Sequence, residues 1–304
     1  MANFLQVVVD AVALGSLLAL VALAIGLVFG VMKLINFAQG DYVTIGAYSL
    51  VVPTASLTPP LLLGALPPAA MVIGVLFVVV MLALATERIA FRPLRDSNPA
   101  TLLISSFAVS YFLQHLVMLI HSGRPKSIGI GQALTTPLEV AGLRVPGIQL
   151  VTMGVTAALL IALVLFLRRT SLGIQMRAAA ENFQMARLLG VPANRVIALS
   201  FVISGVLGGA VSLLLLVQTG TLDLRMGLMP VIFAFFATVV GGMGSLFGAA
   251  LGGFLVGVAS VFLQSYLPVD LRAFREAFLF GLVIVVLLVR PQGLIVISAA
   301  RERV

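Results

Sequence analysis

"GLMPVIFAFFATVVGGMGSLFGAALGGFLVGVASVFLQSYLP", residues 227–268, contains no charged side chain. An α-helix needs about 20 apolar residues to cross the hydrocarbon core of a bilayer, so this stretch has about twice the length of one crossing. Gly241-Gly242-Met243-Gly244 interrupts it. It reads as a short helix, a glycine break and a second helix. The same arrangement recurs near the start of the chain. Residues 42–86 are also uncharged; "INFAQGDYVTIGAYSLVV" (35–52) leads into a Pro-rich turn, "TPP", and an ordinary span follows near 61–85.

The remaining uncharged gaps, 11–32, 97–123, 145–167 and 196–222, hold one span each, and "FREAFLFGLVIVVLLVR" lets a last span begin near Arg272. The sum is nine hydrophobic segments, within a range of eight to ten. The 304 residues are 61% hydrophobic and 9% charged. A soluble domain carries about a quarter charged residues, so this chain cannot cover itself in water, and an all-α polytopic membrane protein is expected. The first ten residues hold no Lys or Arg; the opening apolar stretch is expected to stay as the first span rather than act as a cleaved leader. There is no cysteine, which excludes disulfides and thiolate metal sites. The two histidines, His115 and His121, have no Glu at a zinc-site spacing, and no metal or cofactor is expected.

Arginines orient the chain. Loop 86–98, loop 168–195 and the tail 290–304 carry Arg88, Arg92, Arg95, Arg168, Arg169, Arg177, Arg187, Arg195, Arg290, Arg301 and Arg303. An even number of spans separates each pair, so all three segments fall on one side, the cytoplasm by the positive-inside rule. The N-terminus is then outside and the C-terminus inside. This also accounts for the net charge of +8 without a nucleic-acid partner; the expected surroundings are membrane lipid. Loop 121–147 falls outside. "PLEVAGLRVPG" within it alternates about Ala141-Gly142 as a small hairpin would, serving either as a connector or as a docking surface.

The chain has 29 glycines. In "GGMGSLFGAALGGFLVG" (241–257) Gly248, Gly252 and Gly253 are expected on one helix face with Ala249. Such small residues allow close helix packing; a broken helix lining a path is the alternative, because irregular backbone at membrane depth needs protein or water to satisfy it. Polar residues at depth are few: Asn36, Gln39, Asp41 and Thr44, then Gln114, Gln218, Asp223 and Gln264. Asp41 is either a cavity-facing ionisable group or a helix-cap residue.

Several chemistries are excluded. A phosphate-cradling loop needs Gly-Lys, and neither lysine, Lys33 or Lys126, follows a glycine. The spans lack the Asp, Glu and His relay of proton-driven pumps. His115 near Ser105 or Ser106 has no nucleophile-elbow sequence around it. A transporter without its own energy source must be driven from outside. "RAAAENFQMARLLGVPANR" (177–195) supplies a candidate lever: one short amphipathic helix, with Met176, Ala180, Phe183 and Leu188 apolar among charged neighbours, ended by Gly190 and Pro192. Its alternatives are a partner's cleft and the lipid headgroups.

"AENFQMARLLGVPANRVIALSFVISG" (180–205) resembles the cytoplasmic loop of ABC-importer permeases of the branched-chain amino acid, LivH type. "GLVFGVMKLINFAQGDYVTIGAY" (26–48), "ERIAFRPLR" (87–95), "GGMGSLFGAALGGFLVG" and "LVRPQGL" (288–294) match the same family in order. The resemblance implies one permease domain over 1–304, no enzymatic activity, and ATP hydrolysis on partner subunits. It implies a second permease (LivM type), two cytoplasmic ATPases (LivG/LivF type) and a periplasmic binding protein, in a bacterial inner membrane. It places Glu181, Met185, Arg187, Leu188 and Gly190 at the ATPase contact. The translocation path is expected at Asn36, Gln39, Asp41 and Thr44 and at Gly241, Gly242 and Gly244. Relatives carry leucine, isoleucine and valine, other amino acids, urea or short amides. Gln39-Gly40 stands where the family usually has His-Gly, and Asp41 where Glu is commoner, which leaves the substrate open. A self-sufficient channel or secondary transporter is the rival class.

Overall fold

The computed structural model describes residues 2–95, 97–140 and 143–295. Arg301, Arg303 and the Ala141-Gly142 turn lie outside the described residues. In chain order the elements are α1 (Ala2–Met32), α2 (Gln39–Tyr48), α3 (Pro68–Thr86), α4 (Pro99–His121), β1 (Lys126–Ser127), α5 (Gln132–Thr135), β2 (Pro137–Val140), β3 (Leu143–Pro146), α6 (Gly147–Arg169), α7 (Ser171–Glu181), α8 (Phe183–Leu188), α9 (Ala193–Thr219), β4 (Thr221–Leu222), α10 (Leu228–Gly241), α11 (Leu246–Tyr266) and α12 (Arg275–Val289). The fold is all-α: each strand has four residues or fewer, paired as β1 with β4 and β2 with β3. The β2–β3 pairing, Leu138 opposite Val145 and Glu139 opposite Arg144, is the hairpin expected between 137 and 147.

The nine apolar segments are nine helices of unequal length. Among the described residues six helices are long and apolar enough to cross a membrane: α1, α3, α4, α6, α9 and α11. The other three are shorter, with 10 residues in α2, 14 in α10 and 15 in α12. At 1.5 Å per residue α2 covers about 15 Å, half a hydrocarbon core.

The centre of the molecule is α1, whose residues from Leu17 to Val28 are almost all buried. It touches α6, α7, α9, α10 and α11. Lipid tails are as apolar as leucine, so the gain from packing helices in a bilayer comes from close van der Waals fit. The glycine-rich segment provides that fit on two faces of α11 rather than the one face expected. Gly248 and Gly252 turn toward α10; a Cβ on Gly252 would lie 2.0 Å from the Ala237 carbonyl. Gly253 and Gly257 turn toward α1, with Ala249 against Gly26. Each set repeats at four residues, which keeps it on one side of a helix. With a Cβ absent from both faces, α11 fits between α1 and α10.

A Cβ on Gly253 would meet the Leu18 carbonyl at 2.6 Å and the Ala19 Cα at 2.7 Å, both backbone atoms that cannot swing away. Gly253→Ala is therefore expected to destabilise the protein by about 1–3 kcal/mol through overpacking. Gly154→Ala, where nothing lies within 4 Å of the added atom, should leave stability unchanged or raise it by about 0.5–1 kcal/mol. Thermal unfolding of the two variants in detergent checks both signs.

Candidate functional site

Two regions carry the polar groups of interest. The first is one end of the bundle, the basic face, where α1, α3 and α6 finish and α4 and α9 begin. The helix expected over 177–189 is two helices there. Asn182 is extended (φ −149°, ψ 100°) and caps the second: its Oδ1 accepts the Met185 N–H at 3.0 Å. An asparagine prefers this position because its short amide replaces a missing backbone partner; that preference was the signal available in "AENF". Thr170 caps α7 likewise, accepting from the Gly173 N–H at 3.0 Å.

The two short helices have different surroundings. Met176 and Ala179 of α7 are buried, and α7 packs on α1, α6 and α9. α8 buries Ala186 and exposes Met185, Leu188 (81%) and Leu189 (86%). Glu181 and Arg187 are exposed as well. Gly190 ends α8 with φ +87°, while the Val191 N–H reaches the Ala186 carbonyl and the Gly190 N–H the Arg187 carbonyl, both at 3.0 Å. This is a Schellman closure, which requires a left-handed residue and so favours glycine. Of the apolar side expected for this segment, Met176 therefore seats on the bundle, and Leu188 points away from it.

A cleft of about 890 Å³ opens beside these helices, lined by Lys33, Arg92, Arg95, Glu181, Arg187 and Arg195 among others. Five of those six groups are cations. Lys33 stands just beyond α1 with φ 56°, and burial holds its ammonium below the ordinary lysine value. Arg95 ties the loop after α3 to the start of α9: it pairs with Glu87 and donates to Asn194 Oδ1. Loops 86–98 and 168–195 thus share one face, and residues 294–295 join it. The Leu294 and Ile295 N–H groups donate to the Val240 and Gly241 carbonyls at 2.8 and 3.1 Å.

The second region lies halfway through the bundle, where the two half-helices α2 and α10 begin at the same level. Gly40 and Gly227 touch backbone to backbone; a Cβ on Gly227 would lie 2.0 Å from the Gly40 carbonyl. From there α2 runs toward the face opposite the basic one, and α10 runs toward the basic face. The expected polar residues hold this junction and are all buried. Asn36 Oδ1 accepts from the Ala38 N–H at 3.1 Å, and its Nδ2 donates to the Tyr42 hydroxyl at 3.4 Å. Gln39 Nε2 donates to the Ser204 carbonyl at 3.1 Å and its Oε1 accepts from the Ser204 hydroxyl at 2.8 Å, tying α2 to the middle of α9. The Thr44 hydroxyl donates to the Gly40 carbonyl at 3.1 Å and accepts from the Gly227 N–H at 3.3 Å. Asp41 lies in the first turn of α2, as a cap-side acid would. Gly241, Gly242 and Gly244 are not at this junction. They close the far end of α10, with Gly241 against Gly248 and Gly242 against Ile295. Ser204 and the Tyr42–Thr86 pair escaped sequence reasoning, because a serine or threonine inside a span gives no positional signal by itself.

On the face opposite the basic one, Lys126 is buried and donates to the Thr54 carbonyl, while the Ser127 N–H donates to the Leu57 carbonyl at 3.0 Å. Burial also lowers the Lys126 pKa. The loop after α2 is latched in this way onto the loop after α4.

The architecture is that of a multi-pass membrane protein with paired half-helices. The model of the family "Branched-chain amino acid transport system / permease component" matches residues 7–288, and the chain belongs to that family. It is 35% identical to the high-affinity branched-chain amino acid transport system permease protein BraD of Pseudomonas aeruginosa, over 96% of each chain. It is 35% identical to the corresponding LivH protein of Escherichia coli K12, over 96% of this chain and 95% of that one. For LivH of Salmonella typhimurium the identity is 36% over the same shares.

The Arg95–Glu87 pair is largely buried, whereas Arg144–Glu139 on the β-hairpin is exposed at 3.6 Å. Glu87→Gln is expected to cost about 1.5–3 kcal/mol, the worth of a charged hydrogen bond. Glu139→Gln should cost under about 1 kcal/mol, as exposed pairs do. Chemical denaturation in detergent micelles separates the two.

Proposed function

We propose that this chain is the membrane-spanning permease subunit of a bacterial ABC importer for branched-chain amino acids: leucine, isoleucine and valine. One permease domain spans 1–304, with the coupling segment at 168–195 and the external loop at 121–147. It does no chemistry itself. Two cytoplasmic ATPases of the LivG/LivF type supply the work, a second permease of the LivM type completes the passage, and a periplasmic binding protein delivers the substrate. The family match and the names of the relatives support the substrate class. The basic face is then cytoplasmic, and the N-terminus lies outside.

The observation that carries the reading is the division of labour between α7 and α8. α7 buries Met176 and Ala179 and packs on α1, α6 and α9, whereas Met185, Leu188 and Leu189 are held out beside Glu181 and Arg187. Large apolar tips among charges fit a groove on a protein partner. A partner that closes on α8 pushes α7, and α7 transmits the push to α1 and α9. The path runs beside the α2–α10 junction, at Asn36, Gln39, Asp41 and Thr44, with Gly241, Gly242 and Gly244 fixing the inner end of α10. ATP-driven closure selects one arrangement of these helices and reopening the other, and the difference in affinity for substrate between them gives direction.

Reconstitution tests this. Liposomes holding both permeases and both ATPases should take up leucine only with ATP and loaded binding protein, and the chain alone should pass none. Leucine flux through the chain alone would overturn the reading in favour of a self-sufficient carrier. In the complete system Glu181→Lys and Gly190→Val should each lower ATP-dependent uptake by about tenfold or more, a coupling loss of about 1.4 kcal/mol, while both variants still reach the membrane. Undiminished uptake in both would remove α8 from the contact.

A further inference from the structure

Among the described residues eight buried side-chain nitrogen or oxygen atoms have no hydrogen-bond partner. Such groups are costly away from water, so where they cluster they point to a ligand that satisfies them part of the time. Three of the eight lie in one seam, between α2 and α4: Asp41 Oδ2, Tyr48 Oη and His121 Nδ1, with a fourth, Ser122 Oγ, next to His121 at the end of α4.

The seam has two ends of opposite character. At mid-depth the Asp41 carboxylate, 4% exposed, stands at the first turn of α2 within hydrogen-bond reach of Ser110 and Gln114 of α4, with Oδ2 left over. Gln114 Nε2 donates to the Ser110 hydroxyl at 3.1 Å. Among the described residues no cation pairs with Asp41, whereas an acid kept at this depth is normally matched by one. Seven residues further along α2, about 10 Å away, the Tyr48 and His121 rings lie 4.9 Å apart. The unpartnered hydroxyls and imidazole there can all donate. The Lys126 ammonium is near enough to act on His121, and the Asp223 carboxylate, which accepts the Arg225 N–H, is near enough to act on Tyr48. Toward the basic face the seam is closed by an aromatic block: Phe37 stacks on Phe107 at 4.3 Å and meets Phe235 at 5.5 Å.

The two walls of the seam are held differently: α4 is mostly exposed, with Tyr111 and Phe112 outward, while α2 is fixed to α9 through Gln39. We propose that the α2–α4 seam holds the charged head of a zwitterionic α-amino acid during passage, at two successive stations. The donors at Tyr48, His121 and Ser122 receive its carboxylate first. Asp41 is then the counter-ion of its ammonium, with the branched side chain against the Phe37–Phe107 block. This rests on the permease reading above and assigns the recognition of the amino-acid head to this chain.

The complete transporter in liposomes tests it. Asp41→Asn should lower leucine uptake by about tenfold or more, since removing one member of a buried charge pair leaves the other unmatched. ATP hydrolysis stimulated by loaded binding protein should stay within about twofold of wild type, because the coupling face is untouched. The chain has no cysteine, so Ser110→Cys offers a single thiol in it. During turnover 2-aminoethyl methanethiosulfonate should modify that thiol, and saturating leucine should slow the modification about fivefold or more by occupying the seam. Uptake by Asp41→Asn within twofold of wild type, or a Ser110→Cys labelling rate indifferent to leucine, overturns the proposal and leaves the permease reading standing. If Asp41→Asn does not insert, the labelling rate alone decides. A wild-type transporter that takes up no branched-chain amino acid overturns the permease reading and this proposal together.

Discussion

The structure depends on a contact between two carbonyl-bearing glycines, Gly40 and Gly227, in the middle of the bundle. Two helices begin there, and neither is long enough to span a bilayer. A helix that starts at mid-depth leaves its first N–H groups unpaired where no water is available, which a lipid-exposed chain could not tolerate. The protein meets this constraint by pressing the two starts together and bonding side chains into them. Thr44 takes the Gly227 N–H, Asn36 takes the Ala38 N–H, and Gln39 anchors the turn to Ser204. No side chain larger than hydrogen fits where the two backbones meet.

This junction also sets the electrostatics of the middle of the membrane. Both half-helices point their N-termini inward from opposite directions, so two partial positive ends face one level. An acid at that level is partly compensated, which allows Asp41 to sit in the first turn of α2 without a basic partner. Around this fixed centre the chain divides into a tightly packed part and a more exposed part. α1, α10 and α11 are joined through glycine contacts, and α9 is tied to α1 by the Ser204–Ala24 bond and to α2 by Gln39. α4, α6 and α12 bury less of their surface. The basic face connects to the packed part through α7, which touches α1 and α9.

Much of this is readable in the residues alone. Gap lengths between charges located all nine apolar helices, because hydrocarbon thickness sets a length and a charged residue ends it. The arginine loops were grouped on one face by parity, and "PLEVAGLRVPG" announced its hairpin by alternation. α2 and α10 were readable as short pieces beside a break in the apolar pattern. What could not be read was that the two begin at one level, Gly40 against Gly227. The glycines of 241–257 were legible as packing residues, but their division between α1 and α10 depends on where those helices lie. Asn36, Gln39 and Thr44 stood out as polar residues in oil, yet their bonds are spent holding the junction. Asp41 shares their segment and keeps an unpaired oxygen. Its neighbours Ser110 and Gln114 are over sixty residues away in sequence, a relation that no local pattern encodes.

Backbone hydrogen exchange of the resting protein in lipid nanodiscs, followed by mass spectrometry, tests the central claim most directly. If the α2–α10 junction is the fixed centre, the amides of Gln39–Tyr48 exchange as slowly as those of the buried stretch of α1, despite the shortness of the helix. Exchange of that segment as fast as the neighbouring loop at 53–60 would mean that α2 is not held there, and the account would be wrong.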